Sequence, residues 1–457
     1  MKYIAQLPGI GRLINLQGSV EFRVKKGGGH ALQELKGIKG LHGQLKIKGL
    51  NVLSKDEASK TDMKSNENLR ALTLEWSSAC RILTPVADCE VLENLQPHQN
   101  LKELSIIRYL GVTSPSWLQL ALLRELQSLH LVNCRSLGAL PALGLLPSLE
   151  QLHMKELCTV ERIGHEFYGT DDMAFPSLKV LVLDDFPSLV EWSEVRENPL
   201  PCLQRLKIVD CPKLIQVPAF PPSVSELTVE RTLLISNMKL APYSSSRSEI
   251  LTLDISTTSV LSRGLFHQSH LASIIVLNIN AGCKHLVAAE GLHTFTSLQK
   301  LQLCHSDISD QNLESLLQVL SSLYSFEMID LPNMTSLLVP ANNSLCTTVT
   351  ELQISNCPLL SSVVSLGTFV SLKRLVIEKC PKLTAASFPV NFWRLTALKV
   401  LSISYCTEFQ SLPTCGLPTS IEALHLVGCH PKLHGNSSNK TVNSQEEVST
   451  LHKTLAH

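Results

Sequence analysis

Residues 203–214 read LQRLKIVDCPKL, and residues 372–383 read LKRLVIEKCPKL. The two stretches start 169 positions apart and share one spacing of Leu, Ile, Cys and Leu. That spacing generalises along the chain. Aligned on L-x-x-L-x-[LIVM], copies begin at Leu69, Leu101, Leu126, Leu149, Leu178, Leu203, Val224, Ser248, Ile274, Leu298, Leu323, Val349, Leu372, Leu398 and Ile421, about 25 residues apart. The second anchor is Leu in every copy except Phe326, and the third is always Leu, Ile, Val or Met. Two weaker copies, around Leu13 and Leu41, extend the array toward the start of the chain.

A period in the range of roughly 20–29 residues with these anchors is that of a leucine-rich repeat. Around the second and third anchors, alternate residues point to opposite faces of a short strand. One coil cannot bury its own apolar face, so coils stack and their strands form a parallel sheet. The spacing therefore predicts an α/β repeat solenoid: a leucine-rich-repeat horseshoe with the sheet on its concave face and irregular or short helical segments on its convex side. Three positions beyond the third anchor stand Cys134, Cys211, Cys357, Cys380, Cys406 and Cys429, three of them followed by Pro212, Pro358 and Pro381. A small thiol fits a tight inward turn and tolerates burial while bonding loop backbone. Proline is consistent with strand pairing ending there. These cysteines read as structural.

Composition narrows the function classes. Lys+Arg and Asp+Glu stand at 40 each, and aromatics are only 5% of the 457 residues. Balanced charge without a basic stripe of interleaved aromatics argues against nucleic acid as partner. No stretch approaches the roughly 18 apolar residues of a membrane span, and the first residues lack the long apolar run of a secretory signal. The placement of the 14 cysteines favours free thiols in a reducing compartment, the cytoplasm or the nucleus. Sequons at Asn333, Asn342, Asn436 and Asn439 point the other way, but such triplets are common in Ser- and Asn-rich sequence. CxxC and HExxH are absent, so a metal has no motif, and no serine sits in a nucleophile elbow. The chain reads as a non-enzyme.

Several segments resemble one family. LPGIGRLINLQGSVEFRV (7–24), HALQELKGIKGLHGQLKIKGLNV (30–52), NLRALTLEW (68–76) and VERIGHEFYGTDDMAFPSLKVLVL (160–183) resemble the first repeats and the mid-array insertion of plant coiled-coil NB-LRR intracellular immune receptors, the disease resistance proteins. The C-P-K-L endings are similar to its later repeats, and the resemblance covers roughly residues 5–433. It implies a protein-interaction module that recognises pathogen effectors or guarded host proteins. In a full receptor it would also restrain a nucleotide-binding domain. That domain should precede the repeats, yet G-x-x-x-x-G-K-[ST] occurs nowhere, and Lys25-Lys26-Gly27-Gly28-Gly29 has the wrong spacing for a phosphate loop. The expectation is a fragment, a truncated product or a repeat-only relative, without cofactor; ADP or ATP would belong to the absent domain. A ubiquitin-ligase substrate receptor is the alternative, because F-box proteins also carry Cys-containing leucine-rich repeats.

The expected organisation is an opening region at 1–68 with weak first repeats and a short helix, in which Ser54 and Glu57 form a capping box. Repeats fill 69–231, interrupted by an insertion at 158–176. An irregular loop spans 232–248, repeats resume over 249–433, and the polar tail 434–457 reads as disordered. Candidate binding residues follow from strand geometry. His130, His153 and His425 lie between the second and third anchors. Two positions beyond the third anchor come Trp76, Arg108, Glu156, Asp185, Asp210, His305, Lys379 and Tyr405, with Asp184 beside Asp185. Glu156, Asp184, Asp185 and Asp210 read as an acidic stripe that favours a basic partner. Trp76, Arg108 and Tyr405 are types enriched at hot spots. Solvent-facing strand positions are polar whether or not they bind anything, so the candidate is the face as a whole.

Overall fold

The computed structural model describes residues 17–24, 42–77, 85–169, 174–193, 200–218, 221, 223–232, 251–255, 274–280, 295–339, 345–434 and 440–442. The chain packs as two compact units, Met1–Ser244 and Ser245–His457, which divide inside the stretch the sequence reads as irregular.

In the first unit the strands are β1 (Gln17–Arg23), β2 (His42–Lys48), β3 (Leu69–Glu75), β4 (Glu103–Ile107), β5 (Ser128–Val132), β6 (Gln151–Lys155), β7 (Arg162–Ile163), β8 (Val180–Asp184), β9 (Glu191–Trp192), β10 (Arg205–Val209) and β11 (Glu226–Glu230). All except β7 and β9 form one parallel sheet in chain order. Its register sets the second anchors in one column: Val20, Leu45, Leu72, Leu104, Leu129, Leu152, Leu181, Leu206 and Leu227. The third anchors follow from Phe22 to Val229, and both columns are buried. The anchors of the two opening strands are thus Val20/Phe22 and Leu45/Ile47, displaced from the copies read around Leu13 and Leu41. A register shift between Gly43 and Gln44, where β2 meets β3, lies between them and the regular array.

The predicted capping box is present: Ser54 N–H donates to Glu57 Oε2 at 2.8 Å, Glu57 N–H donates to Ser54 Oγ at 3.4 Å, and a short helix runs Lys55–Ser59. The insertion packs into the stack through its described parts, 158–169 and 174–176. Its strand β7 pairs in parallel with β9 in a small second sheet, and Phe167, Tyr168 and Phe175 enter the core. The Trp192 indole donates to the Tyr168 hydroxyl at 2.7 Å, which satisfies both buried polar groups.

The second unit holds β12 (Leu251–Ile255), β13 (Ile274–Asn280), β14 (Lys300–Cys304), β15 (Ser325–Ile329), β16 (Glu351–Ser355), β17 (Arg374–Glu378), β18 (Val400–Ser404), β19 (Ala423–Val427) and β20 (Lys440–Val442). From β12 to β19 the strands are parallel in chain order. Here one copy is corrected: Leu253 pairs with Leu277 and Ile255 with Ile279, so the copy placed at Ser248 begins two residues later. The run LTLDI alternates apolar residues over three positions and satisfies either spacing. Within the tail, Lys440–Val442 pair antiparallel with β19; the rest of 435–457 lies outside the described residues, as do 233–250.

The six turn cysteines are buried and free. Each thiol donates to the carbonyl two residues earlier, at 3.7 Å in Cys134, 3.4 Å in Cys211, 3.6 Å in Cys357, 3.4 Å in Cys380, 3.5 Å in Cys406 and 3.7 Å in Cys429. Thr232 occupies the same place and its hydroxyl makes the same bond, at 3.0 Å to Glu230 O. Burial pushes the Cys134 and Cys211 thiols up to about 12, which keeps them protonated donors.

Two outcomes test this packing. Leu206→Ala removes a fully buried anchor and should cost about 2–5 kcal/mol, read as a lower urea midpoint; an unchanged midpoint refutes the column. A thiol reagent should label exposed Cys202 in the native protein and the six turn cysteines only after unfolding.

Candidate functional site

The outward residues of each strand and the residue that ends it form the solvent side of each sheet. Two positions beyond the third anchor the backbone turns left-handed. Arg108, Asn133, Glu156, Asp185, Asp210 and Arg231 in the first unit, and His305, Asp330, Asn356, Lys379 and Tyr405 in the second, have φ between 48° and 61°. In those from Arg108 to Asp210 and from His305 to Tyr405 the N–H still closes the ladder, as from Asn133 to Lys155 O at 2.8 Å and from Tyr405 to Val427 O at 2.7 Å. The chain then turns inward to the buried position held by the cysteines. Left-handed backbone costs an ordinary L-residue roughly 1–2 kcal/mol, and Asn and Asp tolerate it best. The last coil uses Gly428 (φ 62°), where a Cβ would fall 2.6 Å from Tyr405 Cδ1. The absence of that Cβ makes room for the tyrosine ring.

This ridge carries most of the predicted residues, and the structure ties them to neighbours. Asn133 Nδ2 donates to Glu156 Oε2 at 2.6 Å, and the Arg135 guanidinium reaches the same oxygen at 2.9 Å. Lys155 pairs with Asp184 at 2.8 Å, and Arg231 Nη2 donates to Asp210 Oδ2 at 2.7 Å. Arg231 holds the Asp210 carboxyl below its usual range. Asp185 makes no ion pair among the described residues. The acidic stripe is accordingly corrected: three of its four carboxylates are neutralised from adjacent coils, which leaves little field to attract a basic partner. In the second unit His305 Nδ1 lies 2.6 Å from Asp330 Oδ2, and Asn356 Nδ2 donates to Asp330 Oδ1 at 3.0 Å. Lys379 sits 3.3 Å from Glu378, and Tyr405 stands 52% exposed.

Trp76 is also corrected. It is fully buried, its indole N–H donates to Asp88 Oδ1 at 3.0 Å, and its ring meets Tyr109 edge-on at 5.2 Å. β3 is followed in the chain not by a cysteine turn but by the helix Pro85–Asn94, and the indole bonds to Asp88 of that helix.

His130 and His153 are paired across β5 and β6, and their rings stack at 4.6 Å, 13° from parallel. Burial holds His130 below its ordinary value, partly offset by Glu103; burial, His130 and Arg205 do the same to His153. His425 occupies the equivalent place on β19, between Ser402 of β18 and Thr441 of β20. Among the described residues no three His, Cys, Asp or Glu side chains gather to hold a metal, and no helix is long and apolar enough to cross a membrane.

Sequence reasoning missed a second group on the same face, at the ends of the first strands. Arg23, Lys48 and Glu75 each directly follow a third anchor, and with Arg108 they line a polar cavity of about 280 Å³. Their equivalence appears only once the opening strands are in register; then the signal is a basic residue after Phe22 and after Ile47.

Known proteins carry the same repeats. Residues 32–157 match the family described as R13L1/DRL21 LRRs. Over 289 residues the chain is 30% identical to disease resistance RPP13-like protein 1 of Arabidopsis thaliana, covering 59% of this chain and 27% of the relative. Disease resistance protein RGA1 of Solanum bulbocastanum is 31% identical over 252 residues, 54% of this chain and 24% of the relative. Its repeats are similar to those of these plant disease resistance proteins. It spans about a quarter of the length of these relatives. Among solved structures, the leucine-rich-repeat protein LIC12759 of Leptospira interrogans aligns with a TM-score of 0.51 at 16% identity, over 99% of this chain and 98% of that one. That likeness supports the solenoid fold.

The histidine pair makes the first unit sensitive to pH. With folded values below the ordinary 6.5, the unfolded chain takes up protons first. The stability of the neutral pair is fully present above pH 6.5 and is lost as pH falls below it. The urea midpoint should drop between pH 7.5 and 5.5, and His153→Gln should flatten that drop; equal pH dependence in both proteins overturns the assignment.

Proposed function

We propose that the solvent-facing sides of the two sheets recognise protein partners in plant innate immunity: a pathogen effector or a host protein that such effectors modify. In a longer receptor the same repeats would hold a nucleotide-binding domain inactive. The observation that carries this reading is a contrast within each strand. Inward positions repeat one apolar chemistry from coil to coil. Outward positions in register on the same strands change at almost every step, running Thr73, Ser105, His130, His153, Val182, Lys207 and Thr228. A surface that presents different chemistry on a repeating frame suits recognition of an irregular partner, and the resistance-protein relatives support the setting.

The reading includes a reducing compartment, the cytoplasm or the nucleus. It is supported by buried turn cysteines that serve as thiol donors to backbone carbonyls. No catalytic step is assigned to the repeats.

Tyr405 is the large aromatic on the ridge of the second unit, and truncation of an anchor of this type costs about 2 kcal/mol or more of binding. Tyr405→Ala should leave the urea midpoint unchanged and weaken capture of an effector, identified in a pairwise interaction screen, by tenfold or more. If Tyr405→Ala, Lys379→Glu and His130→Ala all bind that effector like the parent, recognition does not use this face.

A further inference from the structure

We infer that the cavity at the ends of β1–β4 binds a small polyphosphate anion. This inference goes beyond partner recognition and does not depend on it. The cavity, about 280 Å³, is lined by Arg23, Lys48 and Arg108 from three different coils, with Glu75 among them. Its size falls just below the usual range of small-molecule sites, roughly 300–1,000 Å³, and suits a compact ligand.

The charges around it are organised. Glu75, the carboxylate on the cavity wall, is fully engaged: Oε1 accepts from Arg108 at 2.7 Å and Oε2 from Lys46 at 2.9 Å. Burial pushes its carboxyl up, and Lys46 and Arg108 overcome that, so it stays ionised. The glutamate orients the Arg108 guanidinium and leaves that fork's remaining N–H donors for a ligand. Lys48 is held by Glu21 at 2.8 Å. Arg23 has no ion pair among the described residues and closes the cavity on the β1 side. Among the described residues, Arg23, Lys46, Lys48 and Arg108 therefore have only Glu21 and Glu75 as ion-pair partners, which leaves an excess of positive charge on several strands. A monocarboxylate would answer part of it; an anion with more than one negative charge answers all of it. Two guanidinium forks also match phosphate oxygens in pairs.

The backbone shapes the cradle. Gly49 has φ 80°, and a Cβ there would fall 3.0 Å from Val24 O, so the close approach of the first two coils requires glycine. Asn51 Oδ1 accepts from Ser77 N–H at 3.0 Å and fixes the floor between β2 and β3. None of these groups forms a phosphate loop, and no hydrolytic step is assigned to the site.

The test is calorimetric titration of the full chain with inorganic pyrophosphate at low salt. One saturable site is expected. Its affinity should fall at least tenfold in Arg23→Gln and in Arg108→Gln, weaken as salt screens the field, and stay unchanged in Lys432→Gln. Arg23→Gln is the decisive variant, because its exposed side chain makes no ion pair among the described residues and its loss should leave thermal unfolding unaltered. No heat with pyrophosphate, equal affinity in Arg23→Gln, or binding of a phosphoserine peptide but not pyrophosphate each overturns the inference. Capture of an effector by the parent protein would be untouched by any of those results.

Discussion

An isolated coil of about two dozen residues has no interior. Its three anchors become buried only when the coils before and after supply the other walls, and every other feature of the chain follows from that dependence. It fixes the strand direction, because only a parallel stack brings Leu181 over Leu152 and under Leu206. It also fixes where variation can occur, since anything that points inward must match its neighbours in size and polarity. The insertion obeys the same rule: it supplies its own aromatic wall rather than leaving the stack open.

The turn that ends each strand resolves a second conflict. The chain must leave the sheet sharply, yet its last N–H must still reach the neighbouring coil. A left-handed residue does both, and the buried group after it bonds the strand's own carbonyl so that no polar atom is stranded. Cysteine is suited to that place, and Thr232 serves equally, so the bond matters rather than the sulfur. The ion pairs above the turn are a consequence of stacking, because residues at one position in successive coils lie side by side. Opposite charges such as Asp210 and Arg231 then meet across the gap, whether or not a partner is ever bound.

Much of this was legible in the sequence. The anchor columns, the cysteine turn and the capping box at Ser54 were all readable because each rests on a local pattern. What failed was of two kinds. In the copy read at Ser248, Leu251, Leu253 and Ile255 alternate so evenly that spacing alone cannot choose among them; only pairing with Leu277 does. The opening strands were displaced for a related reason, with a register shift at Gly43 that no periodicity encodes. The other kind concerned surroundings. Trp76 stands at a position that is exposed or half-buried in the described coils after it, and its burial depends on the helix that follows. The acidic residues looked like a stripe because two of their basic partners, Arg135 and Lys155, occupy columns other than that of Glu156, Asp185 and Asp210, and the third, Arg231, stands in that column one coil beyond the acidic run.

The left-handed ridge has a consequence for how such a surface can diversify. Valine, isoleucine and threonine clash in that backbone conformation, and among the described residues none of the left-handed ridge positions holds one of them. Three positions earlier in the chain, Val182, Val376 and Thr73 show that branched side chains are admitted between the anchors. The two solvent-facing rows thus draw on different alphabets: one open to nearly every amino acid, the other confined to unbranched polar, charged, aromatic or glycine choices. Codon changes under selection for new specificity would be filtered unequally along a single repeat, independent of which molecule imposes the selection.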